Sequence, residues 1–183
     1  VYDCCANADG AASLILASEE RAKAISDHPV WLDGMGCATA SMSVLRRPNL
    51  VGLPSAEKAA ADAYAMAGVS ADDVDEAEVH DCFTIAELMA YEDLGFCRKG
   101  EAGPFIADRQ AYIGGKVAVN VDGGLKAKGH PIGATGVSMT YEIARQLRGE
   151  CEDERQVPGA TVGLTHNVGG IGQYCFVQVL RRD

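Results

Sequence analysis

The sequence predicts an α/β fold built on a mixed sheet, and three observations carry that reading. Short apolar runs with strand character alternate with stretches that repeat apolar residues at helical spacing. The last two strand-like runs, Thr161–Thr165 and Tyr174–Leu180, follow each other across a glycine-rich turn, which predicts an antiparallel pair. No internal repeat and no low-complexity tract interrupts the series.

Ala11–Ala17 is a compact apolar run behind Asp9-Gly10 and is predicted to be a buried strand. Glu19–Ile25 reads as a short helix with Ser18 as its N-cap, broken by His28-Pro29. Val30–Ala38 is the next strand, with Gly34 and Gly36 as bulge or close-approach points. Residues 39–54 are irregular. Ser55 is then expected to cap a helix running to Ala67. Ala59, Ala63 and Ala67 line one face of that helix, and small residues permit close packing. Asp75–Val79 leads into His80, and Thr84–Leu94 is helical by spacing until Gly95 stops it. Residues 96–115 read as a long loop. Lys116–Val121 alternates as a strand, and Val137–Leu147 closes the helical series.

The bulk properties exclude several classes. The formal net charge of −10 opposes nucleic acid as a partner, because phosphate binding needs a basic face. No run of eighteen apolar residues predicts a membrane span, and no signal peptide is visible. The seven cysteines show no Cys-x-x-Cys spacing, so neither a disulfide framework nor a structural zinc site is expected. Reduced thiols fit a cytoplasmic setting. The opening Val1-Tyr2-Asp3-Cys4-Cys5 reads as the interior of a longer protein.

Three of the four histidines fall in segments with the marks of chemistry: His80-Asp81-Cys82-Phe83, Gly129-His130-Pro131 and His166-Asn167-Val168-Gly169-Gly170. Cys82 precedes a predicted helix, whose N-terminal N–H groups favour a thiolate; a small buried hydrophobe is the plainer alternative. His80 and Cys82 stand two apart on an extended segment and are expected to share a pocket. His130 is constrained by Pro131 and flanked by glycines that admit a ligand or another segment. Asn167 offers an amide and the glycines offer backbone N–H groups, in competition with a plain tight turn. No phosphate loop or complete dinucleotide fingerprint is present, and no local spacing supports a metal. Cys4, Cys5, Cys37, Cys97, Cys151 and Cys175 read as bystanders.

Taken together, Glu78-Val79-His80-Asp81-Cys82-Phe83-Thr84, Gly123-Gly124-Leu125, Lys128-Gly129-His130-Pro131-Ile132-Gly133-Ala134-Thr135-Gly136, Gln156-Val157-Pro158-Gly159-Ala160 and His166-Asn167 resemble the thiolase superfamily. The likeness is to the branch with the thiolase part of sterol carrier protein x and archaeal thiolases. Asp9-Gly10-Ala11-Ala12 adds to it, so nearly the whole chain is covered. The resemblance implies a mixed five-stranded sheet with helices on both faces, half of a five-layer αβαβα structure. Residues 1–26 would be the terminal strand and helix of the N-terminal half, and residues 27–183 the C-terminal domain.

The resemblance also implies an acyl-CoA C-acyltransferase that cleaves 3-oxoacyl-CoA with coenzyme A, or runs the reverse condensation, in lipid metabolism. Coenzyme A is then a substrate, with no covalently bound cofactor. His130 would activate a nucleophilic thiol and hold the thioester oxygen. His80 would help form an oxyanion hole. Cys82 would do the acid/base work, because the usual second cysteine is replaced by Asn167. His166, Asn167, Gly129, Gly169 and Gly170 would shape the pocket. None of the seven cysteines stands in the Cys-x-Ser motif of the family's nucleophile. The isolated chain is therefore expected to be inactive. A homodimer or homotetramer of a full-length protein is implied, without membrane or metal. A thiolase-like aldolase acting on steroid side-chain thioesters, with a small OB-fold-like partner, is the rival reading. A non-catalytic thiolase-like subunit is the third.

Overall fold

The computed structural model describes residues 2–182; Val1 and Asp183, the outer limits of the two expected segments, lie outside the described residues. Five strands form one mixed sheet in the order β1-β5-β4-β2-β3. They are β1 (Val30–Thr39), β2 (Glu76–Val79), β3 (Ala118–Val119), β4 (Val162–Gly169) and β5 (Tyr174–Arg182). β2 runs parallel to β3 and β4, whereas β5 runs antiparallel to β4 and β1. The antiparallel pair predicted from the last two runs is therefore present.

Among the described residues six α-helices accompany the strands: α1 (Glu19–Ile25), α2 (Pro54–Ala67), α3 (Thr84–Asp93), α4 (Ala102–Ala107), α5 (Gly124–Lys128) and α6 (Thr135–Arg148). Two apolar clusters occupy the two faces of the sheet. On one, Ala59 and Ala63 of α2 and Tyr91 of α3 pack with Val79, Leu164, Val177 and Val179. On the other, Ile143 and Leu147 of α6 pack with Ala118, Val157 and Leu180. The sheet thus carries helices on both faces.

The small-residue face of α2 explains two glycines of β1. A Cβ at Gly36 would overlap the Ala59 carbonyl, and one at Gly34 the Ala63 carbonyl. A register shift between Leu32 and Gly34 is the expected bulge. Gly36→Ala is expected to destabilise the fold by about 2 kcal/mol, since no flexible side chain can yield. Gly103 has nothing within 4 Å of its absent Cβ. Gly103→Ala should be neutral or mildly stabilising, and urea unfolding of both variants checks the contrast.

Several local expectations are corrected. Ala11–Ala17 forms no strand: it is mostly exposed, because no neighbouring strand supplies hydrogen bonds to it. Ser55 is not a cap. Pro54 opens α2 and Leu53 precedes it, while the buried Ser55 hydroxyl donates to the Gly172 carbonyl at 2.8 Å. The loop expected over 96–115 contains α4, and Gly124–Lys128, for which the sequence predicts no element, forms α5. β3 is only two residues long. Ser18 does cap α1, accepting from Arg21 N at 3.4 Å, but that helix buries no residue.

Candidate active site

The candidate residues gather beyond the carboxyl end of β2 and beside β4, where open α/β sheets commonly place ligands. Val79 is the last residue of β2 and pairs with His166 on β4, so His80 leaves the sheet beside His166. His130 arrives from the loop between α5 and α6. Its ring meets that of His80 edge-on, with centroids 4.9 Å apart and planes at 87°. Segments fifty residues apart thus form one imidazole cluster.

Each histidine has its own electrostatic setting. Burial, and then the nearby His130, push His80 down to about 4. Burial, and then His80, push His166 down to about 3. Both are neutral near pH 7. A neutral His80 still has one N–H to donate, and its Nδ1 is buried without a hydrogen-bond partner among the described residues. Both ring nitrogens of His166 are likewise unpartnered. His130 is anchored instead: its Nδ1 lies 2.7 Å from Thr135 Oγ1. That hydroxyl donates its single proton to the Pro131 carbonyl at 3.1 Å. It therefore accepts from Nδ1–H, which leaves the lone pair of a neutral His130 on Nε2.

Three features position these groups: Asp81 and the segment before residue 9, which the sequence does not announce, and Gly129, which it does. Asp81 is buried, and its carboxylate accepts from Leu125 N at 2.7 Å and Lys126 N at 3.3 Å. It fixes the start of α5, and α5 leads through Gly129 into His130. Gly129 has φ +82°, and a Cβ there would stand 2.5 Å from Ala8 Cβ, so glycine is required twice over. The third feature is the segment before residue 9. Cys5 N donates to the Cys82 carbonyl at 2.9 Å, and His130 N donates to the Ala6 carbonyl at 3.0 Å. Lys126 Nζ reaches the carbonyls of Tyr2 and Cys4 at 2.6 and 2.8 Å. One strand-like stretch thereby ties both site loops together. Only the structure shows this, because every bond ends on a backbone group far away along the chain.

Cys82 departs from expectation in its protonation. It is half-buried and stands one residue before the N-cap of α3. Burial and the neighbouring Cys5 raise its thiol above the ordinary value, and they outweigh backbone N–H groups acting in the opposite direction. The free thiol is the resting form. Cys5, read from the sequence as a bystander, is its neighbour.

The last predicted segment is strand, not loop. β4 continues through His166, Asn167 and Gly169, because β5 pairs with it as far as Gly169↔Tyr174. Asn167 Nδ2 lies 3.7 Å from Met139 Sδ, and a Cβ at Gly136 would sit 3.0 Å from the same amide. Gly170, with φ +63°, begins the tight turn into β5. The turn alternative therefore accounts for Gly170, and Gly169 ends the strand. An open groove of about 410 Å³ lies against the segment that follows His130, lined by Asp9, Gly10, Pro131 and Ile132. A larger cavity of about 980 Å³ lies between Leu14–Leu16, α1, β1 and α6, away from the histidines. Among the described residues, no group of three His, Cys, Asp or Glu side chains is arranged to hold a metal ion.

Residues 36–182 match a family model described as thiolase C-terminal domain-like. The chain belongs to that family. This thiolase C-terminal domain is 42% identical over its full length to 47% of an acetyl-CoA acetyltransferase of Methanothermobacter thermautotrophicus. It is 41% identical, over 92% of its length, to 32% of sterol carrier protein 2 of Oryctolagus cuniculus. A solved structure titled Ltp2-ChsH2(DUF35) aldolase superposes with a TM-score of 0.77 at 28% identity, covering 90% of this chain and 42% of the other. The thiolase domain thus spans less than half the length of each of these relatives. No helix among the described residues is long and apolar enough to cross a membrane.

Proposed function

We propose that this chain is the C-terminal part of an acyl-CoA C-acyltransferase that cleaves 3-oxoacyl-CoA with coenzyme A or condenses two acyl-CoA molecules. The observation that carries the reading is the His80–His130 contact, with His130 turned by Thr135 so that Nε2 is its basic atom. A segment boundary near Ser26 belongs to the same proposal. So does a nucleophilic thiol in a portion that the longer relatives have in addition. The full-length protein is expected to act in the cytoplasm as a homodimer or homotetramer.

His130 Nε2 takes the proton of the nucleophilic thiol, and the resulting thiolate attacks the 3-keto carbon. The bond between carbons 2 and 3 breaks, and the departing enolate takes a proton from the Cys82 thiol. His80 donates its N–H to the thioester oxygen on which the enolate charge develops. Coenzyme A then attacks the acyl group on the nucleophile and gives its proton to the Cys82 thiolate. His130 returns its proton to the released nucleophile. The raised affinity of Cys82 for its proton supports a group that starts as an acid. Buried His166 and half-buried Asn167, with Gly129, Gly169 and Gly170, shape the cavity. Coenzyme A is a substrate here, and the groove against Pro131 and Ile132 offers an approach for its thioester end.

Cys82→Ala in a full-length protein is expected to lower cleavage and condensation about 100-fold, while acylation of the nucleophile by a simple acyl-CoA, which expels a thiolate and needs no acid, survives. Burst-phase acylation measured beside steady-state turnover separates the two. If both survive, the acid/base assignment is wrong. The likeness to the aldolase structure favours a second reading, carbon–carbon cleavage on steroid side-chain thioesters with a small OB-fold-like partner. A Cys-x-Ser motif upstream favours the acyltransferase, and another residue at that position favours the aldolase or a non-catalytic subunit.

A further inference from the structure

Residues 3–5 and 82–84 form a two-stranded antiparallel ribbon. Cys4 and Phe83 are bridge partners, with Thr84 N donating to the Asp3 carbonyl and Cys5 N to the Cys82 carbonyl, both at 2.9 Å. In that register Cys5 stands directly opposite Cys82, and opposed residues project to the same face of a ribbon. Cys4 and Phe83 project to the other face. We propose that Cys5 and Cys82 are a reversible thiol–disulfide pair, and that closing it takes Cys82 out of use.

The geometry suits a labile bond. Opposed residues at a hydrogen-bonded antiparallel position have Cα atoms about 5.5 Å apart. Disulfides accept Cα separations of roughly 4.4–6.8 Å but want Cβ atoms near 3.8 Å. The ribbon must draw in slightly, and strained or exposed disulfides are the readily reduced ones. Both cysteines are half-buried, so a small oxidant reaches them, and neither is in a disulfide now. The mutual influence of the two thiols agrees with their proximity.

The oxidant is a small-molecule disulfide. A thiolate of one cysteine attacks it, forming a mixed disulfide and releasing one small thiol. The other cysteine, as thiolate, then attacks the protein sulfur of that mixed disulfide and releases the second. Two protons leave the protein, two thiols become one disulfide, and the oxidant's S–S bond takes the two electrons.

The crosslink is independent of the acyltransferase reading; only its effect on turnover rests on that reading. The chain is incubated with oxidised glutathione, and linked peptides are mapped by mass spectrometry. The expected result is a link that a dithiol reverses, kept in Cys4→Ser and lost in Cys5→Ser and in Cys82→Ser. A link through Cys4, or glutathione on Cys82 with no internal link, overturns the pairing. Mapping the unaltered chain gives the linked peptides even where a variant fails to fold. In a full-length protein, turnover should fall in proportion to the linked fraction, and Cys5→Ser should remove that oxidant sensitivity. Full turnover in linked protein would leave the crosslink standing and remove Cys82 from the reaction.

Discussion

Replacing His130 by Ala in a full-length protein is expected to lower turnover about 1,000-fold or more, the upper part of the range for a positioned acid–base group that also prepares a nucleophile. The effect follows from two contacts. Thr135 Oγ1 holds Nδ1 and so assigns the free lone pair to Nε2, and Ala6 holds the backbone on the other side. No neighbour can substitute. His80 and His166 are neutral near pH 7 and held by burial at about 4 and 3, far too low for efficient proton abstraction. The loss should appear already in acylation by a simple acyl-CoA, unlike that of Cys82→Ala. Near-normal turnover would refute the assignment. Thr135→Val should give a smaller loss, since it frees the ring without removing it.

Glu76→Gln should stabilise the fold by about 3 kcal/mol at pH 7 and by under about 1 kcal/mol at pH 5. Glu76 is buried on β2, and neither carboxyl oxygen has a partner among the described residues. Burial, then the carboxylates of Glu142 and Asp75, raise it to about 9. The folded chain keeps a proton that the unfolded chain releases above about pH 4.5, so stability is lost as pH rises from there towards 9. The histidines act in the opposite sense: the fold refuses protons that the unfolded chain binds below about 6.5, so stability falls as pH drops towards 4 and 3. Gln removes only the first arm. Urea unfolding at both pH values decides the matter, and an equal shift at pH 5 and pH 7 would show that desolvation of the carboxylate is not the cause.

Much of the architecture was legible in the sequence because it rests on periodicity and on glycine. Val30–Ala38, Thr84–Leu94 and Val137–Leu147 each lie within one residue or one turn of an observed element. The buried acids were not legible. Glu76-Ala77-Glu78-Val79 alternates like a strand with one wet face, yet both faces are covered, because β2 lies inside the sheet under α6. Burial raises Glu78 to about 8 even with Lys128 nearby. At the site, His80 and His130 stood out by their surroundings, and their contact agrees with the expected convergence. Cys82 was misjudged in charge because dehydration outweighed the helix terminus. Asp81 and Cys5 were missed because their importance lies in backbone partners far away along the chain.

The short stretch from Tyr2 to Ala8 has a consequence for where a recombinant boundary can be drawn. The family match begins at residue 36, yet the hydrogen bonds to the Cys82 carbonyl and from His130 N come from residues 5 and 6. An expression variant trimmed to the matched region would keep β2 to β5 whole, lose residues 30–35 of β1, and unmoor both reactive loops. Ancestry and chemistry are therefore measured by different rulers in this molecule, and the chemical one begins some thirty residues earlier.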